Sequence, residues 1–343
     1  MFVSLGVSFR NARQDVRDRV SLAPDGAAAF RAKLAAAGIG QSLVMSTCNR
    51  CEVFCWTNGQ DARSTRVGEI CGTGVSPVRD LLRRLFLNEF PSVPLADALE
   101  AREGTAALVY LFRIAAGLES MILGEYQILG QVKDAHAASL ASGHAGKELD
   151  RILRDAVTCA KRVKTELDIG AVPPSVCRAG MEHVNRIAGI ADKRVFVIGS
   201  GRTGTLAAKL AKRLGAASIV VCNRSLERTR KLVDEVGATA VDYAARYAVI
   251  AESDIVVSAT ASPHMVVFAD RLALTRPVVF LDLASPRDVE PVVAENPLAT
   301  LVSIDTIGEL AAGDRLERER LTAKGMEIIA DAVRTTAVWL ESI

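Results

Sequence analysis

Residues 194–215 read RVFVIGSGRTGTLAAKLAKRLG, and this stretch decides the fold of the second half of the chain. RVFVI is a short, nearly continuous apolar run of the kind found in a parallel sheet covered on both faces. TLAAKLAKRLG carries apolar residues at helical spacing. Between them Gly199-Ser200-Gly201-Arg202-Thr203-Gly204 fits G-x-G-x-x-G in the strand-turn-helix context that gives the motif meaning. Glycines there permit a tight turn and close backbone approach, and the helix N-terminus offers unpaired N–H groups and a positive dipole to a pyrophosphate. These six residues are therefore expected to bind a dinucleotide. The plainer alternative, glycines that only let a helix sit on a strand, fits the surrounding pattern less well.

Outward from the turn, SIVVCN (218–223), DIVVSAT (254–260), PVVFLDLA (277–284) and TLVSID (300–305) repeat the apolar run, separated by helical segments. The pattern predicts a Rossmann-type doubly wound parallel sheet. NAD enzymes usually place an acid at the end of the second strand to hold the ribose 2′-hydroxyl. Asn223-Arg224-Ser225 stands there instead, and a guanidinium with a hydroxyl favours a 2′-phosphate, so NADPH is the expected cofactor. A solvated charge at a strand end is the alternative for Arg224. Thr260, ending the third run, is taken as a further cofactor contact.

The first 60 residues alternate strand-like and helix-like stretches, and from about Val78 to Leu167 the spacing is helical. Pro173-Pro174 interrupts that helical run. Four parts are expected: an N-terminal α/β catalytic domain at 1–150, a connecting helix and linker at 151–185, the NADPH domain at 186–310, and a C-terminal helix at 311–343. That last helix ends with apolar residues still periodic at Trp339, Leu340 and Ile343, so it must pack on something.

A chain of 343 residues, half of them apolar, is more than one core usually organises. The net charge of +2 gives no bulk electrostatic case for binding a nucleic-acid polymer, leaving only local clusters such as Arg79, Arg83 and Arg84, or Lys161, Arg162 and Lys164. Seven scattered cysteines argue for reduced thiols in the cytosol. The N-terminus does not read as a signal peptide, and no segment has the charge-free apolar length of about 18 residues that a membrane span needs.

Ser46-Thr47-Cys48-Asn49-Arg50-Cys51-Glu52 follows the apolar run SLVM, so Cys48 is expected to emerge at the carboxyl end of a strand. Three readings compete for it. Cys48 is a nucleophile, with Arg50 favouring its thiolate. Alternatively Cys48, Cys51, Cys55 and Cys71 bind a metal, although no second C-x-x-C or paired histidines accompany them. In the third reading they are small core side chains.

STCNRCE, GLESMILGEYQILGQVKDA (117–135), IGSGRTG with CNRSLERTRKL, DIVVSATASP and LDLASPRDVEP together make the chain resemble the glutamyl-tRNA reductase family, from about residue 1 to 341. The resemblance implies that Cys48 attacks the ester joining glutamate to its tRNA, and that NADPH reduces the resulting thioester to glutamate-1-semialdehyde for tetrapyrrole synthesis. It also implies that Arg50 grips the substrate carboxylate, with Thr47 and Asn49 beside it, and that Ser120, Gly124, Glu125 and Gln127 help line the pocket. Glutamyl-tRNA, held by phosphate and shape contacts, is the implied partner. An aminomutase, the next enzyme of the pathway, is a candidate second one. Neither a metal nor a membrane is expected. With Cys48 and the nicotinamide on different domains, hydride transfer is expected to need a closing movement.

The sequence departs from the family in four places. The family's histidine before the helix H-L-F-R is Arg102 here, and it is carried forward as a catalytic candidate because a guanidinium can stabilise an oxyanion, though it cannot shuttle protons. The N-H-x-T-A-P pattern reads Ser8-Phe9-Arg10-Asn11-Ala12-Arg13, and Tyr126 stands where a proline is usual. The family continues past Trp339-Leu340 into a dimerising domain, whereas this chain ends at Ile343, so the usual dimer interface is expected to be absent. A longer protein cut to this length and a naturally short paralogue both fit. A paralogue acting on another aminoacyl-tRNA, or a degenerate tRNA-binding homologue, are the competing functions.

Overall fold

The structure, a computed structural model, describes residues 1–58, 76–121, 123, 126–167, 176–311 and 315–343. Its first elements are β1 (Phe2–Ser8), α1 (Gln14–Arg19), α2 (Pro24–Ala36), β2 (Gln41–Thr47), β3 (Arg50–Trp56), α3 (Pro77–Glu89), β4 (Glu100–Glu103), α4 (Gly104–Ala116), α5 (Tyr126–Ala141) and α6 (Lys147–Glu166). Then come α7 (Val176–Ala188), β5 (Arg194–Ile198), α8 (Arg202–Arg213), β6 (Ser218–Cys222), α9 (Leu226–Val236), β7 (Thr239–Val241), α10 (Arg246–Glu252), β8 (Ile255–Ser258), β9 (Val278–Asp282), β10 (Ala299–Val302), α11 (Ile304–Ala311) and α12 (Arg315–Glu341). They form two compact units, Met1–Pro174 with Asp314–Ile343, and Ser175–Gly313.

The first unit holds an antiparallel sheet in the order β2-β3-β1-β4. Alternation sends Val3, Leu5, Val7, Cys51, Val53 and Cys55 into one core with Phe30 and Phe86, while Phe2, Leu43, Met45 and Phe54 face a second core built by α4 and α6. Both faces are therefore covered by helices. β4 has the sequence EARE, which carries no apolar alternation, and its pairing with β1 makes it a strand where local sequence does not.

α6 does not stand apart as a connector. Its residues Leu149, Ile152, Leu153, Ala156, Ala160 and Val163 recur at helical spacing and are buried in the first unit's core. α12 joins the same core through Ile328, Ile329 and Val333, and Thr336 donates to the Asp155 carboxylate at 3.0 Å. The boundaries 150 and 185 are thus replaced by one near 174, and the terminal helix is part of the first unit.

The second unit is a six-stranded sheet in the order β10-β9-β8-β5-β6-β7, every neighbour pair parallel. Four strands fall within the apolar runs read from the sequence and β10 overlaps the fifth, starting one residue earlier; β7, three residues of which two are exposed, does not have such a run. The chain winds outward from β5 in one direction to β7 and in the other to β10, so the order reverses between β5 and β8, where ligands of such sheets bind. Among the described residues no helix is long and apolar enough to cross a membrane.

Candidate active site: a thiol at a hairpin tip and a dinucleotide pocket

Cys48 and Asn49 form the two-residue turn between β2 and β3, closed by the pairing of Thr47 with Arg50. Cys48 does follow a strand, but that strand is antiparallel, so a hairpin tip and not the mouth of a parallel sheet presents it. Its thiol is partly exposed and outside any disulfide. The turn is pinned from within by the Asn49 N–H donating to Thr47 Oγ1 at 3.2 Å, and from outside by the Phe9 N–H donating to the Asn49 carbonyl at 2.9 Å. Cys51 and Cys55 point into the apolar core, where burial pushes each thiol up to about 12. They are core side chains, and no cluster able to hold a metal occurs among the described residues.

Behind the turn lies a buried charge network. The Arg50 side chain is 1% exposed, and its Nη1 donates to Glu52 Oε2 at 3.1 Å and to the Tyr110 hydroxyl at 3.3 Å, while Nη2 donates to the Glu119 carbonyl. Tyr110 donates in turn to Glu52 Oε1 at 2.5 Å. Burial, then the neighbouring Glu52 charge, push the Tyr110 hydroxyl up, so it acts as a hydrogen-bond donor and not as an acid. Arg102 on β4 lies with its guanidinium 3.6 Å from the centre of the Tyr110 ring and 2.5 Å from Glu100. The Glu119 carboxylate, also buried, pairs with Arg10 at 2.6 Å and Arg113 at 2.5 Å.

Among the described residues, the buried polar atoms without a partner in this region include Arg50 Nε, Asn49 Oδ1 and Arg113 Nε. An unpartnered buried donor on a guanidinium is costly, and a ligand carboxylate would satisfy it. Thr47, Cys48, Asn49, Arg50 and Arg102 are thus drawn together, with Ser120 buried one residue beyond the carbonyl that holds Arg50. Gln127 is exposed in the first turn of α5, and Gly124 and Glu125 lie outside the described residues, as does Cys71. Glu52, Tyr110, Glu119, Arg10 and Arg113 were not singled out from sequence. Glu52 could have been, since two residues along a strand share a face with Arg50; Tyr110 carries no local signal.

In the second unit the turn Gly199–Gly201 leads into α8, whose first N–H groups have no side-chain cap and are open to a ligand. Two glycines are required by packing. Gly199 has φ +101, and a Cβ there would sit 2.5 Å from the Ala259 carbonyl oxygen; one on Gly204 would sit 1.9 Å from that of Gly199. Around Gly201 a Cβ would meet nothing within 4 Å, leaving room for close approach. A cavity of about 290 Å³ opens here, lined by residues 199–203, Asn223, Arg224, Tyr243 and residues 259–261.

Gly199, Ser200, Gly201, Arg202, Thr203, Asn223, Arg224 and Thr260 therefore share one pocket; Gly204 stands behind it and Ser225 is the N-cap position before α9. Asn223 Nδ2 donates to Ser200 Oγ at 2.6 Å, tying the second strand's end to the turn. Tyr243 is an addition the sequence did not mark. An uncapped helix N-terminus, open space at Gly201 and a cavity of this shape fit a dinucleotide.

Comparison with known proteins bears on both halves. Residues 5–167 match the family described as glutamyl-tRNAGlu reductase, N-terminal domain, and residues 182–310 match shikimate / quinate 5-dehydrogenase. The glutamyl-tRNA reductase of Shewanella sp. (strain W3-18-1) is 32% identical over 352 residues, covering 99% of this chain and 80% of that protein. The chain belongs to the glutamyl-tRNA reductase family. Its likeness to the glutamyl-tRNA reductase of Carboxydothermus hydrogenoformans is also 32%, over 98% of this chain and 74% of that one. The solved glutamyl-tRNA reductase from Methanopyrus kandleri matches with a TM-score of 0.52 and 28% identity, over 99% of this chain and 80% of that one. A family with a dehydrogenase-type domain accounts for the nicotinamide dinucleotide pocket.

Proposed function

We propose that this chain reduces glutamyl-tRNA to glutamate-1-semialdehyde, the first step of tetrapyrrole synthesis, with Cys48 as nucleophile and NADPH as reductant. One observation supports this above the others: a partly exposed thiol at a hairpin tip stands two residues before a buried arginine whose Nε lacks an acceptor among the described residues.

In the first step the Cys48 thiolate attacks the carbonyl carbon of the glutamyl ester. A C–S bond forms, the C–O bond to the terminal ribose breaks, and the ribose oxygen leaves with a proton. The Arg50 Nε–H donates to the substrate's side-chain carboxylate, which favours glutamate over neutral amino acids. Thr47, Asn49, Ser120 and Gln127 complete the pocket, and the family resemblance adds Glu125, which lies outside the described residues. Arg102 supplies a fixed positive charge near the developing oxyanion and takes no proton away.

Residues 199–204, with Asn223, Ser225 and Thr260, hold the cofactor, and Arg224 selects the 2′-phosphate, since no acid stands at the end of β6. Bound there, NADPH supplies a hydride to an electrophilic carbonyl. The thioester on Cys48 is a better acceptor than a carboxylate, and its sulfur departs as the thiolate that began the cycle. The reading includes phosphate and shape contacts to the tRNA, a cytoplasmic setting suited to reduced thiols, and an aminomutase to consume the reactive aldehyde.

The test is to incubate the protein with NADPH and labelled glutamyl-tRNA, with glutaminyl-, aspartyl- and alanyl-tRNA as controls. Acyl-enzyme and aldehyde are expected from the glutamyl substrate alone. Cys48→Ser is expected to lower aldehyde production by roughly 10³-fold or more while still binding NADPH. Undiminished aldehyde from that variant, or no transfer from any substrate to the wild type, would overturn the proposal.

A further inference from the structure

The exit of β8 is one wall of the cofactor pocket, and a single carboxylate from another part of the chain holds it. Asp288 is fully buried. Its Oδ2 accepts the Ser258 hydroxyl at 2.7 Å and the Thr260 N–H at 2.8 Å, and its Oδ1 accepts the Thr260 hydroxyl at 2.6 Å. The Thr260 oxygen also accepts the Ser262 N–H at 3.1 Å, so its one hydrogen is directed at Asp288. Asp288 is itself fixed by Asp282 at the end of β9. Asp282 Oδ2 accepts the N–H groups of Asp288 and Val289, each at 2.9 Å, and Oδ1 accepts that of Ala284 at 3.0 Å.

A second set of contacts carries this anchoring to the phosphate side of the pocket. The Ala259 N–H donates to the Ile198 carbonyl at 2.9 Å, and the Ala259 carbonyl oxygen stands where a Cβ on Gly199 would need to be, 2.5 Å away. The β8 exit is therefore pressed, backbone to backbone, against the first residue of the glycine turn. Moving Thr260 moves Ala259, and moving Ala259 disturbs the turn whose N–H groups face the ligand. Charge-assisted hydrogen bonds in a buried site are stiff, which suits this task.

We propose that Asp288 is a positioning residue for the nicotinamide cofactor, acting through Thr260 and the 259–261 backbone to set the geometry of the glycine turn. Asp282 orients it. This role rests on the pocket at 199–203 being the dinucleotide site.

The experiment is an NADPH titration of the full chain by cofactor fluorescence, for wild type, Asp288→Asn, Asp288→Ala, Thr260→Val and the Asp288→Ala/Thr260→Val double variant. Asp288→Ala and Thr260→Val are each expected to weaken NADPH binding about tenfold, and the double variant no further, because both remove the same link. Asp288→Asn keeps an oxygen for Ser258 and the Thr260 N–H and turns the Thr260 hydroxyl into an acceptor, so it folds and shows a smaller loss. In turnover, KM for NADPH rises in the single variants while kcat at saturating cofactor stays within about threefold of wild type. Additive losses, binding within about twofold of wild type in every variant, or a fall in kcat alone would overturn the proposal. A wild-type chain that fails to bind NADPH at all would overturn the pocket reading, and the role of Asp288 with it.

Discussion

The candidate sites of the two units are built from different materials. The pocket at residues 199–204 is mostly main chain: an open helix end, a turn with φ +101 at Gly199, and space where side chains are missing. The region behind Cys48 is mostly side chain, with Arg50, Glu52, Tyr110, Arg102, Glu119, Arg10 and Arg113 drawn from five separate segments into one set of ion pairs, ring contacts and hydrogen bonds. A site of the first kind is fixed by local geometry and tolerates a change of neighbouring charge. A site of the second kind depends on every member being present, because a buried charge left alone is expensive.

The sharpest way to break this contrast is Glu52→Gln. It leaves the Arg50 guanidinium buried beside a neutral amide, and the first unit is expected to lose about 3 to 5 kcal/mol of stability. Tryptophan fluorescence during urea unfolding measures it selectively, because the chain's two tryptophans, Trp56 and Trp339, both belong to the first unit. A loss below about 0.5 kcal/mol would show that the network is not held by charge. NADPH binding by the same variant should be unchanged.

A smaller effect is expected at the rim of the pocket, where Arg224 is exposed and replaceable. Arg224→Ala should cut kcat/KM for NADPH about tenfold and leave that for NADH nearly as it was, without lowering the unfolding midpoint. Equal losses with both cofactors would remove Arg224 from the selection of a 2′-phosphate.

The smallest effect exposes an exception inside the second unit, where side-chain charge does matter. Burial, and next the charge of Asp288, push the Asp282 carboxyl up to about 7; Asp288, also raised by burial, faces the Ser258 and Thr260 donors and the charge of Arg224. An unfolded aspartate titrates near 3.9, so between about pH 4 and pH 7 the folded chain holds a proton that the unfolded chain has released. Stability from this group therefore falls as pH rises through that window. Asp282→Asn removes the titration, so the wild type should lose about 1 kcal/mol relative to the variant between about pH 6 and pH 8, by calorimetry. A difference that does not change with pH would mean that Asp282 is ionised throughout.

The same contrast explains what the sequence could tell. RVFVIGSGRTG places a strand, a turn and a helix within eleven residues, so the pocket's floor is written locally, and Asn223-Arg224 is found by counting to the next strand's end. Tyr243 reaches the pocket from a short 3-10 turn and Asp288 holds its wall through Thr260 from beyond β9, and neither has such a marker. Around the hairpin, STCNRCE named Cys48 and Arg50, but their surroundings depend on pairings of β1 with β3 and β4 and on one turn of α4. β4 itself, all charge and alanine, has no strand signal because its partner strand supplies the reason for its conformation.

The return of α12 to the unit in which the chain began makes the nucleotide-binding half an insertion with both its ends tied to one host. Gly325 lies so close to Leu118 that a Cβ there would come within 2.8 Å of its Cδ1, so late residues are jigsaw pieces of an early core. A nonsense codon near position 313 would spare every strand and every residue assigned a chemical role here, yet it would strip a wall from the half that carries the sulfur. For this architecture, synthesis must run past the whole nucleotide-binding unit before the first-made portion can close.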